Sequence, residues 1–171
     1  MKKDNRGLSL VEVVIVLAIM AVLATVVSVG VNLVTRKPAD QCASRLQTVM
    51  QNNRMTTMGK LDASMRIYMD ASGNIYVDEL IKVDESTTNT VTTQVGTAGV
   101  VLSYKITGEA AYRELTPGTA LLLSYDRSSG AFKDLTAMGL PGHYCQEIMI
   151  VKGNRTKILK LSYLTGKISL E

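Results

Sequence analysis

Glu12 is a carboxylate placed near the start of an apolar run, Leu8 to Val34, that carries no other charge. An ionisable group at membrane depth is costly, so its presence is by default a functional signal that asks for a partner. Other residues with chemical potential are few. A hydrolase needs a nucleophile, a base and an orienting group, and His143, the chain's single histidine, sits beside Pro141-Gly142 in an expected loop; it reads as a polar surface residue. Asp78-Glu79 and Asp84-Glu85 are adjacent pairs whose side chains diverge on a strand, which suits solvation better than shared acid-base duty. Cys42 and Cys145 lack zinc-ligand spacing. They are either a disulfide, in an oxidising compartment and with Cα atoms within about 7 Å, or two buried thiols. No metal, cofactor or catalytic site is expected. Lys152, Arg155, Lys157 and Lys160 gather around one turn, but alternation sends Lys157 and Lys160 to opposite faces, and edge lysines commonly protect against strand pairing. So small a basic patch does not make nucleic acid the expected partner.

The element that must hold Glu12 is the apolar run itself. As a helix, Leu8 to Val34 is about 40 Å long against a hydrocarbon core of about 30 Å. Valine dominates it, and β-branched residues are mediocre helix formers in water, but in lipid the backbone has no other way to satisfy its hydrogen bonds. Lys2, Lys3 and Arg6 precede the run and Arg36 and Lys37 follow it, which leans toward a cytoplasmic N-terminus. A cleaved secretory signal ending near Val22-Leu23-Ala24 leaves too much apolar sequence beyond the cut. A plain signal anchor accounts for the length and leaves Glu12 without a purpose.

The composition sets outer bounds. A chain of 171 residues holds one domain with a true core plus an appendage. The net charge of +4 falls by two without residues 1–7, and so weakly basic a body does not imply nucleic acid. Mean hydropathy is positive chiefly because of the first 35 residues.

Arg6-Gly7-Leu8-Ser9-Leu10-Val11-Glu12 resembles the leader junction of the type IV pilin and pseudopilin family: a short basic leader ending in Gly, then an apolar helix with Glu at its fifth position. The resemblance is strongest over residues 1 to 35. It implies cleavage between Gly7 and Leu8 by a prepilin peptidase, N-methylation of the new Leu8 terminus by the same enzyme, and an assembly role for Glu12. Leu8 stands where Phe is commoner, and Ser9 where Thr is frequent. Other implied partners are further pilin or pseudopilin subunits, met through the N-terminal helix, an inner-membrane assembly platform and the membrane itself. The segment from Leu46 through Arg54 also loosely resembles the H-type minor pseudopilins of type II secretion, which favours a minor subunit. A surface pilus and a secretion pseudopilus are not separated. The alternative from another class is a signal-anchored extracytoplasmic binding domain that joins no filament.

The expected architecture is α+β and pilin-like. It has a leader (1–7), a transmembrane and assembly helix (8–35), an extracytoplasmic continuation of that helix (36–60) and a head of antiparallel sheet (61–171). Pro38 lacks the amide hydrogen a helix interior uses, which predicts a kink or restart there. Cys42, Leu46, Val49 and Met50 recur at helical spacing and form the stripe for the sheet, with Met50, Met55 and Met58 as core filler. Beyond Lys60 the period becomes two. Met65 to Asp70 and Asn74 to Val77 read as a hairpin turning at Ser72-Gly73-Asn74. The Thr-rich stretch 85–99 reads as a connector, with a poor edge strand as the alternative. Val100, Leu102, Tyr104 and Ile106 share one face, and Leu121, Leu123 and Tyr125 point inward before a turn at Arg127 to Gly130. EIMIVK, KILKLSY and KISL then close an antiparallel meander covered by the helix.

Overall fold

The computed structural model describes residues 10–59, 62–83 and 87–171, and leaves the side chains of residues 10 and 22–37 outside that description. The leader, Gly7, Leu8, Asp84 and Glu85 therefore lie outside the described residues. The chain divides into two units, Met1–Lys37 and Pro38–Glu171. The fold is α+β. Helix α1 is assigned over Leu10–Met58 with Pro38 inside it, so the helix assignment does not restart at the proline.

In the second unit the residues of α1 that face inward are Ala39, Cys42, Ala43, Leu46, Val49 and Met50, all buried. That stripe, spaced by three and four, is what a helix laid on a sheet requires. It does not continue through Met55 and Met58, as the sequence suggests: these are 64% and 47% exposed. Asn53 and Thr57 take the inward positions instead, both fully buried. Their hydrogen bonds explain the substitution of polar for apolar. Asn53 Nδ2 donates to Ser64 O at 3.4 Å, and Thr57 Oγ1 reaches Asn53 O at 2.9 Å and Ala63 O at 3.4 Å. The last turn of the helix is tied to strand backbone rather than packed into oil.

Among the described residues nine strands form two antiparallel sheets. Strands β1 (Asp62–Met69) and β2 (Ile75–Lys82) make the expected hairpin, longer at its open end than the sequence suggests and one residue shorter on each side of the turn. Its turn is held by Asp70, whose carboxylate accepts from the amides of Ser72 and Asn74 at 2.9 and 2.8 Å, and by Gly73 at φ +81°. These bonds hold the Asp70 carboxyl below its ordinary pKa. The stretch read as a connector is mostly strand β3 (Thr88–Gly96), paired to β2 and outermost in the first sheet. Threonine and valine fit a pleated backbone whether or not they are buried.

The final meander holds for EIMIVK, KILKLSY and KISL, but the strands before them do not follow in chain order. Strand β4 (Val101–Ile106) pairs with β7 (Cys145–Lys152), which continues into β8 (Arg155–Ser162) and β9 (Lys167–Leu170), with the two-residue β5 (Arg113–Glu114) beyond β4. Strand β6 (Ala120–Ser124) leaves this group and pairs with β1 in the first sheet, setting Leu121 opposite Ile67 and Leu123 opposite Met65. Residues 131–135 form no strand; they contribute two isolated bridges, Tyr125 to Phe132 and Leu135 to Leu140. Both sheets and the α1 stripe share one core, in which Leu46 and Met50 meet Met65, Ile67, Leu102 and Ile148 among others.

Candidate functional site

The first unit presents a helix segment of unusual character. From Val11 to Ala21 every residue is exposed, and all are apolar except Glu12, which lies in the first turn. Successive residues advance by about 100°, so this length covers every side of the helix. No polar face is left for water: Val11 and Met20 are both 63% exposed. An apolar surface on all sides belongs inside a large assembly or a bilayer. Glu12 is the exception and is well placed, because a carboxylate in the first turn meets the positive end of the helix dipole and its unsatisfied amides. Among the described residues, whose side chains in the apolar run end at Ala21, no helix is long and apolar enough to cross a membrane. The side chains of residues 22–35 of the expected span therefore lie outside them.

Residues 2–28 match the family model described as the prokaryotic N-terminal methylation motif. The chain carries this motif. The match supports the type IV pilin and pseudopilin family that the Gly7 to Glu12 junction resembles, and indicates prepilin-type processing. It ends well before the head, and no curated protein or solved structure matches the chain.

The head holds the remaining sequence candidates apart. His143 is exposed, with Nδ1 2.8 Å from Thr107 O, and serves the loop that carries it. Asp78 and Glu79 point to opposite faces of β2. Asp78 accepts from Thr92 Oγ1 at 2.7 Å on the outer face, whereas Glu79 is half-buried beside Asn53, and burial raises its pKa. Lys157 reaches Asp40 of α1 at 3.8 Å, Lys160 reaches Glu171 at 2.8 Å, and Lys152 Nζ donates to Ala98 O, so three of the four basic residues around that turn have local partners. Among the described residues no cluster of His, Cys, Asp or Glu is suited to a metal.

Cys42 and Cys145 are free, buried thiols rather than a disulfide. Burial pushes both up to about 12, so neither is a thiolate at neutral pH. Cys42 faces the sheet: a Cβ on Gly96 would come within 3.1 Å of its sulfur.

Sequence reasoning missed the residue that fixes the end of α1. Arg54 Nε donates to Gly130 O and its Nη2 to Thr165 O, both at 2.8 Å, joining the helix to two separate turns. Those turns touch each other, since a Cβ on Gly166 would fall 1.8 Å from Gly130 O, and Gly166 has φ +65°. The Gly130 turn is organised in turn by Asp126, which accepts from the hydroxyls and amides of Ser128 and Ser129. Those donors hold its carboxyl far below the usual range. The signal was readable in part, because Asp70-Ala-Ser-Gly and Asp126-Arg-Ser-Ser-Gly are both sequences in which an aspartate caps its own turn.

Proposed function

We propose that this chain is a structural subunit, of the minor kind, of a type IV pilus or type II secretion pseudopilus. Prepilin peptidase cuts after Gly7 and methylates the amine of Leu8, and the chain itself acts as a building block and not as an enzyme. The N-terminal helix makes a single pass through the cytoplasmic membrane with the head on the outer side, until an assembly platform transfers it into the filament. There its α1 segment packs among those of other subunits.

Glu12 supplies the register. A carboxylate near the centre of a spanning helix costs about 2.5–3.5 kcal/mol, less toward the end, and pairing with the Leu8 amine of a neighbouring subunit recovers part of this. One axial stagger then wins over its alternatives, as a single buried polar group sets register in coiled coils. Repeating the same head-to-tail contact generates an open filament.

The observation that carries this reading is the apolar surface of Val11 to Ala21, exposed on every side and bearing one carboxylate, inside the stretch that matches the methylation motif. Intact-mass measurement and N-terminal sequencing of protein recovered from membranes test it. The expected mature chain begins at Leu8 and carries one added methyl. A chain that retains Met1, or begins anywhere else, overturns the reading and favours the signal-anchored binding domain.

A further inference from the structure

The two sheets of the head have four edges, and three of them are guarded. Strand β5 is two residues long and both are charged. The outer side of β6 is covered by the segment after it, with Lys133 N donating to Ser124 O and Leu122 N directed at Met138 Sδ. Strand β9 is four residues long, and Gln47 of α1 reaches Ile168 O across it. These are the usual defences of a sheet edge: brevity, charge and cover.

Among the described residues strand β3 has none of them. It is nine residues long, contains no charge and no proline, and among the described residues has no strand on its outer side. Thr88 to Thr92 are all exposed, including Val91 at 49%. Its one irregularity lies at the far end, where the register against β2 shifts between Ile75 and Tyr76, leaving Thr88–Gln94 regular. A strand of this composition offers a row of unpaired backbone donors and acceptors to another strand.

We propose that β3 is a pairing edge for β3 of a second copy of this chain, antiparallel about a two-fold axis through Val91. The sequence Thr88-Asn89-Thr90-Val91-Thr92-Thr93-Gln94 is nearly symmetric about its centre. On that axis Val91 meets Val91, Thr90 meets Thr92, Asn89 meets Thr93 and Thr88 meets Gln94. Every opposed pair is uncharged, and Thr–Thr and β-branched pairs are favourable neighbours across strands. The absence of charge is what permits self-pairing, since any charged residue on the axis would meet its own like.

The register is also the one the core demands. Val91 shares a sheet face with Glu79 and Met65, the face turned to the core, whereas Thr90 and Thr92 share the outer face with Leu80 and Asp78. A two-fold through a residue keeps both copies' core faces on one side, and a slip of one position would set a core face of one copy beside an outer face of the other. The contact is isologous and closes on itself, so it produces pairs rather than fibres. It uses head residues alone and stands whether or not the chain enters a filament.

The test is disulfide trapping in the full chain held in detergent micelles. Directly opposed residues in an antiparallel pair have Cα atoms about 4.5–5.5 Å apart, within disulfide reach, and the native Cys42 and Cys145 are buried and do not compete. Val91→Cys is expected to give a covalent dimer under mild oxidation. Leu164→Cys, a comparably exposed position on a loop, is expected to remain monomeric. Adding Thr90→Lys and Thr92→Lys to Val91→Cys sets lysines against lysines and is expected to reduce the dimer at least tenfold, with the melting temperature of the head confirming that the variant is folded. The proposal is overturned if Val91→Cys stays monomeric, if Leu164→Cys dimerises as readily, if the folded lysine variant dimerises undiminished, or if the new cysteine captures a different polypeptide in preference to itself.

Discussion

The two halves of α1 share a secondary structure and almost nothing else. Between Val11 and Ala21 every residue is exposed and nearly all are apolar, whereas from Pro38 to Met58 one stripe is buried and the exposed residues are polar apart from Met55 and Met58. The second half finds its cover inside the chain, in the core faces of two sheets. The first has no polar side to offer water, and the proposed function gives it lipid or other helices as cover. On the proposed function one half serves the fold and the other the assembly, and a single substitution in each tells them apart.

The largest expected effect is on assembly. Glu12→Ala should lower incorporation into sheared filaments about tenfold or more relative to the membrane pool, while N-terminal processing and the melting of the head remain as in the unmodified chain. Equal incorporation would remove the register role of Glu12 and with it the functional half of the contrast.

Next in size is a paired truncation of leucines. Leu46 is fully buried and Leu17 is 61% exposed. Leu46→Ala should cost the head about 2–5 kcal/mol, and Leu17→Ala should leave it unchanged. All seven tyrosines lie beyond residue 60, so urea unfolding of the full chain in detergent, followed by tyrosine fluorescence, reports on the head alone. A matching loss from Leu17→Ala would mean that the two halves are not energetically separate.

A smaller effect sharpens where the head's grip on α1 ends. Arg54→Ala should cost about 1–2 kcal/mol by releasing the Gly130 and Thr165 carbonyls. Arg54→Lys should not restore it, since one ammonium lacks the rigid fork that reaches two turns at once. Full stability in the lysine variant would show that charge, and not the fork, is what matters there.

How far the sequence could be read follows the range of the interactions involved. The β1–β2 hairpin, the inward faces of β4 and β6 and the Cys42 to Met50 stripe were legible because periodicity records which side of an element is buried. The Thr-rich strand β3 was not, since its residues are mostly exposed and leave no alternating signature. The departure of β6 from the meander was not legible either: alternation says that Leu121 and Leu123 face inward but not which sheet receives them. Met55 and Met58 misled because an apolar residue near the end of a helix is read as core, whereas Asn53 and Thr57 were already taking those positions through hydrogen bonds to carbonyls of β1.

By itself the sequence determined the N-terminal pattern: a basic leader, a glycine, and one acid at a fixed offset in an apolar run are local features, and they lie within residues 2–28, which match the methylation motif. Only the tertiary structure decided which strands share a sheet, that Arg54 binds two turns, that Cys42 and Cys145 remain separate thiols, and that β3 is outermost in its sheet among the described residues. The physical reason is distance along the chain: covalent neighbours carry their pattern in one dimension, whereas contacts between residues far apart exist only once the core has closed.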